Sequence, residues 1–195
     1  MSEEQASSAI LTIPNLISFV RLLAIPFFWW LVLGAENIAA ATILYAVIAT
    51  TDWIDGYLAR RLNQVSKLGQ ALDPIADRLL IASAILVGLL SGIVPPAIGW
   101  VLIVRELYMA AVTLRLVSKG GGTLEVRYLG KVATFLVYSS VGWFYMAAIP
   151  FLEDVLRPLA WTSGLVGLTL YWLTAIQYTG DARERLAEVE SNAVR

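Results

Sequence analysis

The chain has 195 residues, 58% hydrophobic and 15% charged, with a formal net charge of −1 and neither cysteine nor histidine. Disulfide frameworks, thiol chemistry and the usual zinc or copper ligand sets are excluded, and so is a generally basic nucleic-acid binder. A mean hydropathy of +0.72 marks an integral membrane protein, since an average soluble domain holds roughly 45–50% apolar and about 25% charged residues.

Six apolar runs are predicted, in chain order, to form transmembrane helices at about 14–34, 38–58, 71–93, 95–117, 129–152 and 156–178. Each is long enough, at about 1.5 Å per residue, to cross a hydrocarbon core of about 30 Å. The expected fold is therefore all-α and polytopic. A single transmembrane domain over 1–195 is expected, with a short N-terminal segment, 1–13, and a tail, 179–195. Glu3 and Glu4 precede the first run where a signal peptide would carry basic residues, so that run is expected to be retained. Pro14, Pro95 and Pro96 stand near run starts, where a missing N–H costs little, whereas Pro26 is expected to bend the first run. Gly120–Gly122 is expected to be a flexible loop. Trp29, Trp30, Trp100, Trp143 and Trp161 fit an interfacial aromatic belt. From Asp181 onward the charges alternate in sign, which suits either a short solvated helix or a disordered end.

Lysine and arginine set the orientation. Arg60, Arg61 and Lys67 lie between runs two and three, and Arg115, Lys119, Arg127 and Lys131 between four and five. The tail adds Arg183, Arg185 and Arg195, and the opposite loops offer only Arg157. Both termini and the 59–70 and 116–130 loops are therefore expected on the cytoplasmic side of the plasma membrane.

Several charges fall in or at the ends of the apolar runs: Arg21, Asp52, Asp55, Asp73, Asp77, Arg78, Arg105, Glu106 and Lys131. Each costs roughly 2.5–3.5 kcal/mol at mid-membrane, less near the interface, so such residues normally face a cavity. Asp52 and Asp55 are three apart and Asp73 and Asp77 four apart, so each pair shares a helix face. The segment from Gly56 to Leu72 reverses the chain, which lets all four carboxylates converge at one depth on the cytoplasmic side. Four carboxylates together need neutralising, and without imidazole or thiolate the natural partner is Mg²⁺ or Mn²⁺, as one ion or two. Gly56 and Gly69 leave the backbone open to a ligand, Ala59 is small, and Arg60 is a planar donor suited to phosphate. A hairpin that merely anchored topology would need neither the paired carboxylates nor the glycines.

Residues 52–77 read DWIDGYLARRLNQVSKLGQALDPIAD. This stretch resembles the signature of the CDP-alcohol phosphatidyltransferases, D-x2-D-G-x2-A-R-x8-G-x3-D-x3-D. Asp52, Asp55, Gly56, Ala59, Arg60, Gly69, Asp73 and Asp77 fill all eight fixed positions. The resemblance implies a six-helix membrane fold, one or two divalent ions chiefly on Asp52, Asp55 and Asp73, and Asp77 as general base. It also implies that Gly56, Ala59, Arg60 and Gly69 line the pocket for the cytidine nucleotide, alongside Asp55, and that the protein is a homodimer among membrane lipids. TIPNLISFVRLLAIPFF at 12–28, LGQALDPIADRLL at 68–80 and YLGKVATF at 128–135 resemble the branch holding phosphatidylglycerophosphate and cardiolipin synthases. SGIVP at 91–95 and LYW at 170–172 bring it nearer to the actinobacterial cardiolipin synthases.

The resemblance thus implies transfer of a phosphatidyl group from CDP-diacylglycerol to a glycerol-type acceptor, with CMP leaving. Phosphatidylglycerol is the favoured acceptor and glycerol 3-phosphate the alternative. Arg21, Arg105, Arg127 and Lys131 are candidates for holding the acceptor's phosphate. Arg105 can equally form a structural ion pair, Arg78 fits snorkelling or a structural pair, and Asn15 can contact nucleotide or cap its helix. A rival of another class, a divalent-cation transporter, would place its ligands nearer the midplane and often in repeated halves, and no repeat is visible.

Overall fold

The structure, a computed structural model, describes residues 13–61, 67–122, 124 and 127–193, without the side chains of 13–18, 49, 51–61, 67–75, 77 and 192–193. Among the described residues every regular element is helical: α1 (Ile13–Trp29), a π-helical turn (Trp30–Gly34), α2 (Ile38–Arg61), α3 (Lys67–Leu90), α4 (Pro96–Ser118), α5 (Tyr128–Ala147), a 3₁₀ turn (Pro150–Leu152) and α6 (Glu153–Ala193). The all-α expectation holds, and the six runs correspond to the six α-helices within a few residues at most ends. The chain divides into two compact units, Met1–Ile93 with Ala148–Pro150, and Val94–Ala147 with Phe151–Arg195.

In the first unit α1 packs on α2 and α3. Its contact face is Phe28, Leu31 and Val32, buried with Ala41, Tyr45 and Ile48 of α2 and Leu80, Ile81, Ala84 and Ile85 of α3. Phe28 and Tyr45 rings lie 6.2 Å apart. Close packing and polar contacts hold these helices against one another. Trp29 supplies one of those contacts, its indole N–H donating to Ser83 Oγ of α3. Trp30 and Trp100 are more than half exposed. Helix α1 continues through Pro26 and widens to π geometry four residues later, closed by Ala35 N–H to Trp30 O at 2.8 Å. Asn37 then starts α2, its Oδ1 accepting the Ala40 N–H at 3.0 Å as an N-cap.

In the second unit α5 and α6 pack tightly and α4 lies against α6. Glycine makes the α5–α6 approach possible. A Cβ on Gly164 would sit 2.6 Å from Ser140 Oγ, and one on Gly167 would meet the Val137 backbone nitrogen at 3.0 Å. Ser140 also donates to Ala160 O at 2.7 Å, satisfying a buried hydroxyl across the two helices. Pro95 and Pro96 open α4 as expected, at positions where no intrahelical N–H is needed.

The start of the loop after α4 and the tail both have defined backbone. The Gly120–Gly122 loop is a defined turn: Gly121 N–H bonds back to Leu116 O at 2.9 Å, and Gly120 and Gly122 adopt φ of +79° and +73°, which disfavour other residues. Of the two alternatives for the tail from Asp181, the helical one holds, as the continuation of α6, which runs unbroken for 41 residues to Ala193. At about 1.5 Å per residue that is roughly twice a hydrocarbon core of about 30 Å.

Among the described residues, Pro96–Ser118 and Pro150–Ser191 are long and apolar enough to cross a membrane, and the shorter apolar helices are Phe19–Gly34, Ile38–Ile48 and Arg78–Leu90. Leu107 and Leu114 on α4 and Leu165 and Ile176 on α6 are more than half exposed, as lipid-facing side chains are.

Candidate active site

The signature is carried on helix. Asp52, Asp55, Gly56, Ala59 and Arg60 fall in the second half of α2, and Gly69, Asp73 and Asp77 in the first half of α3. Helical backbone at both places is what the three- and four-residue spacings need in order to put each carboxylate pair on one face. Their side chains lie outside those described, as does that of Asn15. No group of three or more acidic side chains able to hold a metal occurs among the described residues. The donor set on α2 and α3 is all oxygen, which fits Mg²⁺ or Mn²⁺ and no softer ion.

The cation candidates are spread over both units. Arg21 on α1 is 2% exposed and has interaction partners. Arg105, the tenth residue of α4, is 7% exposed. Its Nη1 lies 3.1 Å from Glu106 Oε1, and its guanidinium carbon stands 3.4 Å over the Tyr171 ring. Tyr171 in turn donates its hydroxyl to the same Glu106 oxygen at 2.6 Å. This closed triad is the structural ion pair that the sequence left open beside the acceptor role. One donor is left over, since Arg105 Nε is buried without a hydrogen-bond partner. Nothing in the spacing of Glu106 and Tyr171, 65 residues apart, announces the contact.

Arg127 immediately precedes α5 and Lys131 sits in its first turn. Both are exposed, and they are linked by Lys131 N–H to Arg127 O at 3.3 Å, so the one-turn relation expected of them is present. Arg127 donates through Nε and Nη2 to Asp181 of α6 at 3.2, 2.8 and 2.8 Å. These hydrogen bonds, with the charge of Asp181, raise the Arg127 pKa above its ordinary value. Asp181 was not among the expected site residues, because its partner is 54 positions away.

An open cavity of about 500 Å³, lined by Ala35–Ala39 and Ala148–Pro150, lies at the start of α2. Asp52 is 14 residues further along that helix, roughly 21 Å at 1.5 Å per residue. The cavity is therefore remote from the signature.

Against known proteins, residues 11–175 match the family model of the CDP-alcohol phosphatidyltransferases. The chain belongs to that family. It is thus an enzyme of phospholipid synthesis, a phosphatidyltransferase. Members of the family are membrane-embedded and generally depend on a divalent metal. A cardiolipin synthase (CMP-forming) of Streptomyces coelicolor is 36% identical over 181 residues, 89% of this chain and 84% of the relative. A CDP-diacylglycerol–glycerol-3-phosphate 3-phosphatidyltransferase of Bacillus subtilis is 36% identical over 163 residues, 76% of this chain and 83% of its own. One of the same name from Shigella flexneri serotype 5b is 31% identical over 194 residues, 90% and 97% of the two chains. Family membership removes the cation-transporter alternative.

Proposed function

We propose that this phosphatidyltransferase is a cardiolipin synthase, transferring the phosphatidyl group of CDP-diacylglycerol to phosphatidylglycerol with release of CMP. The observation that carries the donor substrate is the complete eight-residue signature on α2 and α3. The acceptor is favoured by the Streptomyces relative, whose match spans most of both chains. Glycerol 3-phosphate is the second reading, favoured by the Bacillus and Shigella relatives.

In this reading Asp52, Asp55, Asp73 and Asp77 face a common pocket and bind one or two Mg²⁺ or Mn²⁺ ions. When bound, the metal supplies charge neutralisation for the leaving pyrophosphate and Lewis acidity at the phosphorus. Gly56, Ala59 and Gly69 let the nucleotide approach the backbone, and Arg60 holds its phosphates. The acceptor hydroxyl oxygen bonds to the phosphatidyl phosphorus as the bond to CMP breaks, and its proton passes to Asp77. No covalent enzyme intermediate is needed. The acceptor's phosphate is held by Arg127 and Lys131, the two exposed candidates, while Arg21 and Arg105 are buried.

Because both lipid substrates are insoluble in water, the reaction suits a single six-span domain in the plasma membrane, opening sideways to lipid. Both termini and the site face the cytoplasm, and the enzyme works as a homodimer. The test is purified enzyme given CDP-diacylglycerol with each acceptor separately, with and without Mg²⁺ or Mn²⁺, products identified by mass. Metal-dependent CMP release with cardiolipin formed from phosphatidylglycerol is expected. Phosphatidylglycerophosphate from glycerol 3-phosphate alone would replace the favoured acceptor with the second.

A further inference from the structure

The match to the family ends at residue 175, but α6 continues to Ala193, and this extension is engaged with the rest of its unit. Thr179 Oγ1 and Tyr108 Oη share a hydrogen bond of 2.8 Å. Tyr178, 9% exposed, accepts the Arg127 backbone N–H on its hydroxyl at 2.9 Å. That hydroxyl fills the space over Gly130, where a Cβ would come within 2.7 Å of it. Asp181 takes the Arg127 guanidinium, and Glu190 takes Lys119 Nζ at 2.6 Å. Lys119 caps the end of α4 and Arg127 adjoins the start of α5, so both ends of the connecting loop are tied to α6.

The geometry at Arg127 is asymmetric. Asp181 occupies the Nε and Nη2 edge, and no described side chain takes Nη1. A guanidinium has five N–H donors in a planar fork, so a carboxylate on one edge fixes the plane and leaves the opposite edge able to bind a second anion. The Arg127 side chain is 47% exposed and therefore reachable. A bond to its own backbone N–H and a fork to its side chain, both from one turn of α6, fix this arginine more firmly than an isolated surface pair would.

We propose that the α6 extension is a clamp on the α4–α5 loop, and that Asp181 is a positioning residue that presents the Nη1 edge of Arg127 to the acceptor's phosphate. This rests on the reading above that Arg127 holds that phosphate. Asp181 acts on the acceptor only through Arg127 and touches neither CDP-diacylglycerol nor the reacting atoms.

The test is a double-mutant cycle in the full-length enzyme in mixed micelles, with each substrate varied while the other saturates. Asp181→Asn should raise the KM for phosphatidylglycerol about five-fold, with kcat and the KM for CDP-diacylglycerol within about two-fold, the scale of a well-formed exposed pair. Asp181→Glu should restore most of the loss. Arg127→Ala should raise the acceptor KM further, and adding Asp181→Asn to it should change nothing more. A silent Asp181→Asn beside an effective Arg127→Ala would overturn the clamp alone. So would an undiminished Asp181→Asn effect in the Arg127→Ala background, an equal rise in both KM values, or a fall in the acceptor KM. An acceptor KM unmoved by Arg127→Ala would overturn the reading of Arg127 itself, and the positioning role with it.

Discussion

The sequence of the signature helices and the side-chain contacts of the α4–α6 bundle show charge in two different patterns. Along α2 and α3 like charges recur at helical spacing: Asp52 with Asp55, and Asp73 with Asp77. In the bundle, opposite charges meet: Arg105 with Glu106, Arg127 with Asp181, and Lys119 with Glu190. Like charges placed on one face repel and desolvate poorly, so they are retained where an external cation completes them. Opposite charges that already meet need nothing from outside and serve as structure, except where a donor edge is left over. On the proposed reading, the signature helices carry the chemistry and the bundle holds and orients.

The largest effect that would sharpen the contrast is loss of the proton acceptor. Asp77→Asn should lower turnover by about 10³-fold, within the range of general-base contributions. CDP-diacylglycerol should still bind, as measured by equilibrium binding of the labelled lipid. Turnover within a few-fold of wild type would remove Asp77 as base and weaken the claim that the carboxylate pairs are there for chemistry.

On the other side of the comparison, removing a carboxylate should harm the fold before the reaction. Glu106→Ala leaves Arg105, 8% exposed at its side chain, without its ion pair, and frees the Tyr171 hydroxyl. Breaking such a pair from one side costs about 3 kcal/mol, toward the lower end for buried pairs because Glu106 is itself about a third exposed. The checks are the midpoint of thermal unfolding in detergent and the KM for each substrate. Tyr171→Phe, which removes one hydroxyl bond, should cost about 1 kcal/mol. Normal stability with a raised acceptor KM would break the contrast by making Arg105 a substrate ligand.

The fold was largely legible in the sequence because lipid leaves the backbone few alternatives. A run of about twenty apolar residues must satisfy its peptide groups within itself, so α4, expected at 95–117, is found at Pro96–Ser118. The end of α6 was less legible because its pattern changes from apolar to mixed charge, although the helix does not stop there. The Trp29 contact with Ser83 of α3 was not legible, because its partner lies 54 positions away. The family was legible in residues 52–77 because the signature lies in short, fixed spacings. Pairs such as Arg105 with Tyr171, or Arg127 with Asp181, join helices far apart in sequence, and no local pattern encodes them.

The smallest effect expected lies at the end of the clamp, where solvent weakens every charge. Hydrogen bonding and the charge of Lys119 lower the Glu190 pKa below its ordinary 4.5. A depressed carboxylate pKa means that the contact stabilises the folded tail above about pH 4.5 and is lost as pH falls through the lowered value. Both side chains are substantially exposed, so the loss should loosen the last turns of α6 without unfolding the bundle. Amide hydrogen exchange, corrected for its intrinsic pH dependence, should show lower protection around Glu190 at pH 3 than at pH 6. Lys119→Met should abolish that difference. If protection around Tyr178 fell equally, the tail and the Arg127 contact would be one cooperative element. If protection stayed constant everywhere, the Lys119 contact would contribute nothing, and α6 would be held by Arg127, Tyr178 and Thr179 alone.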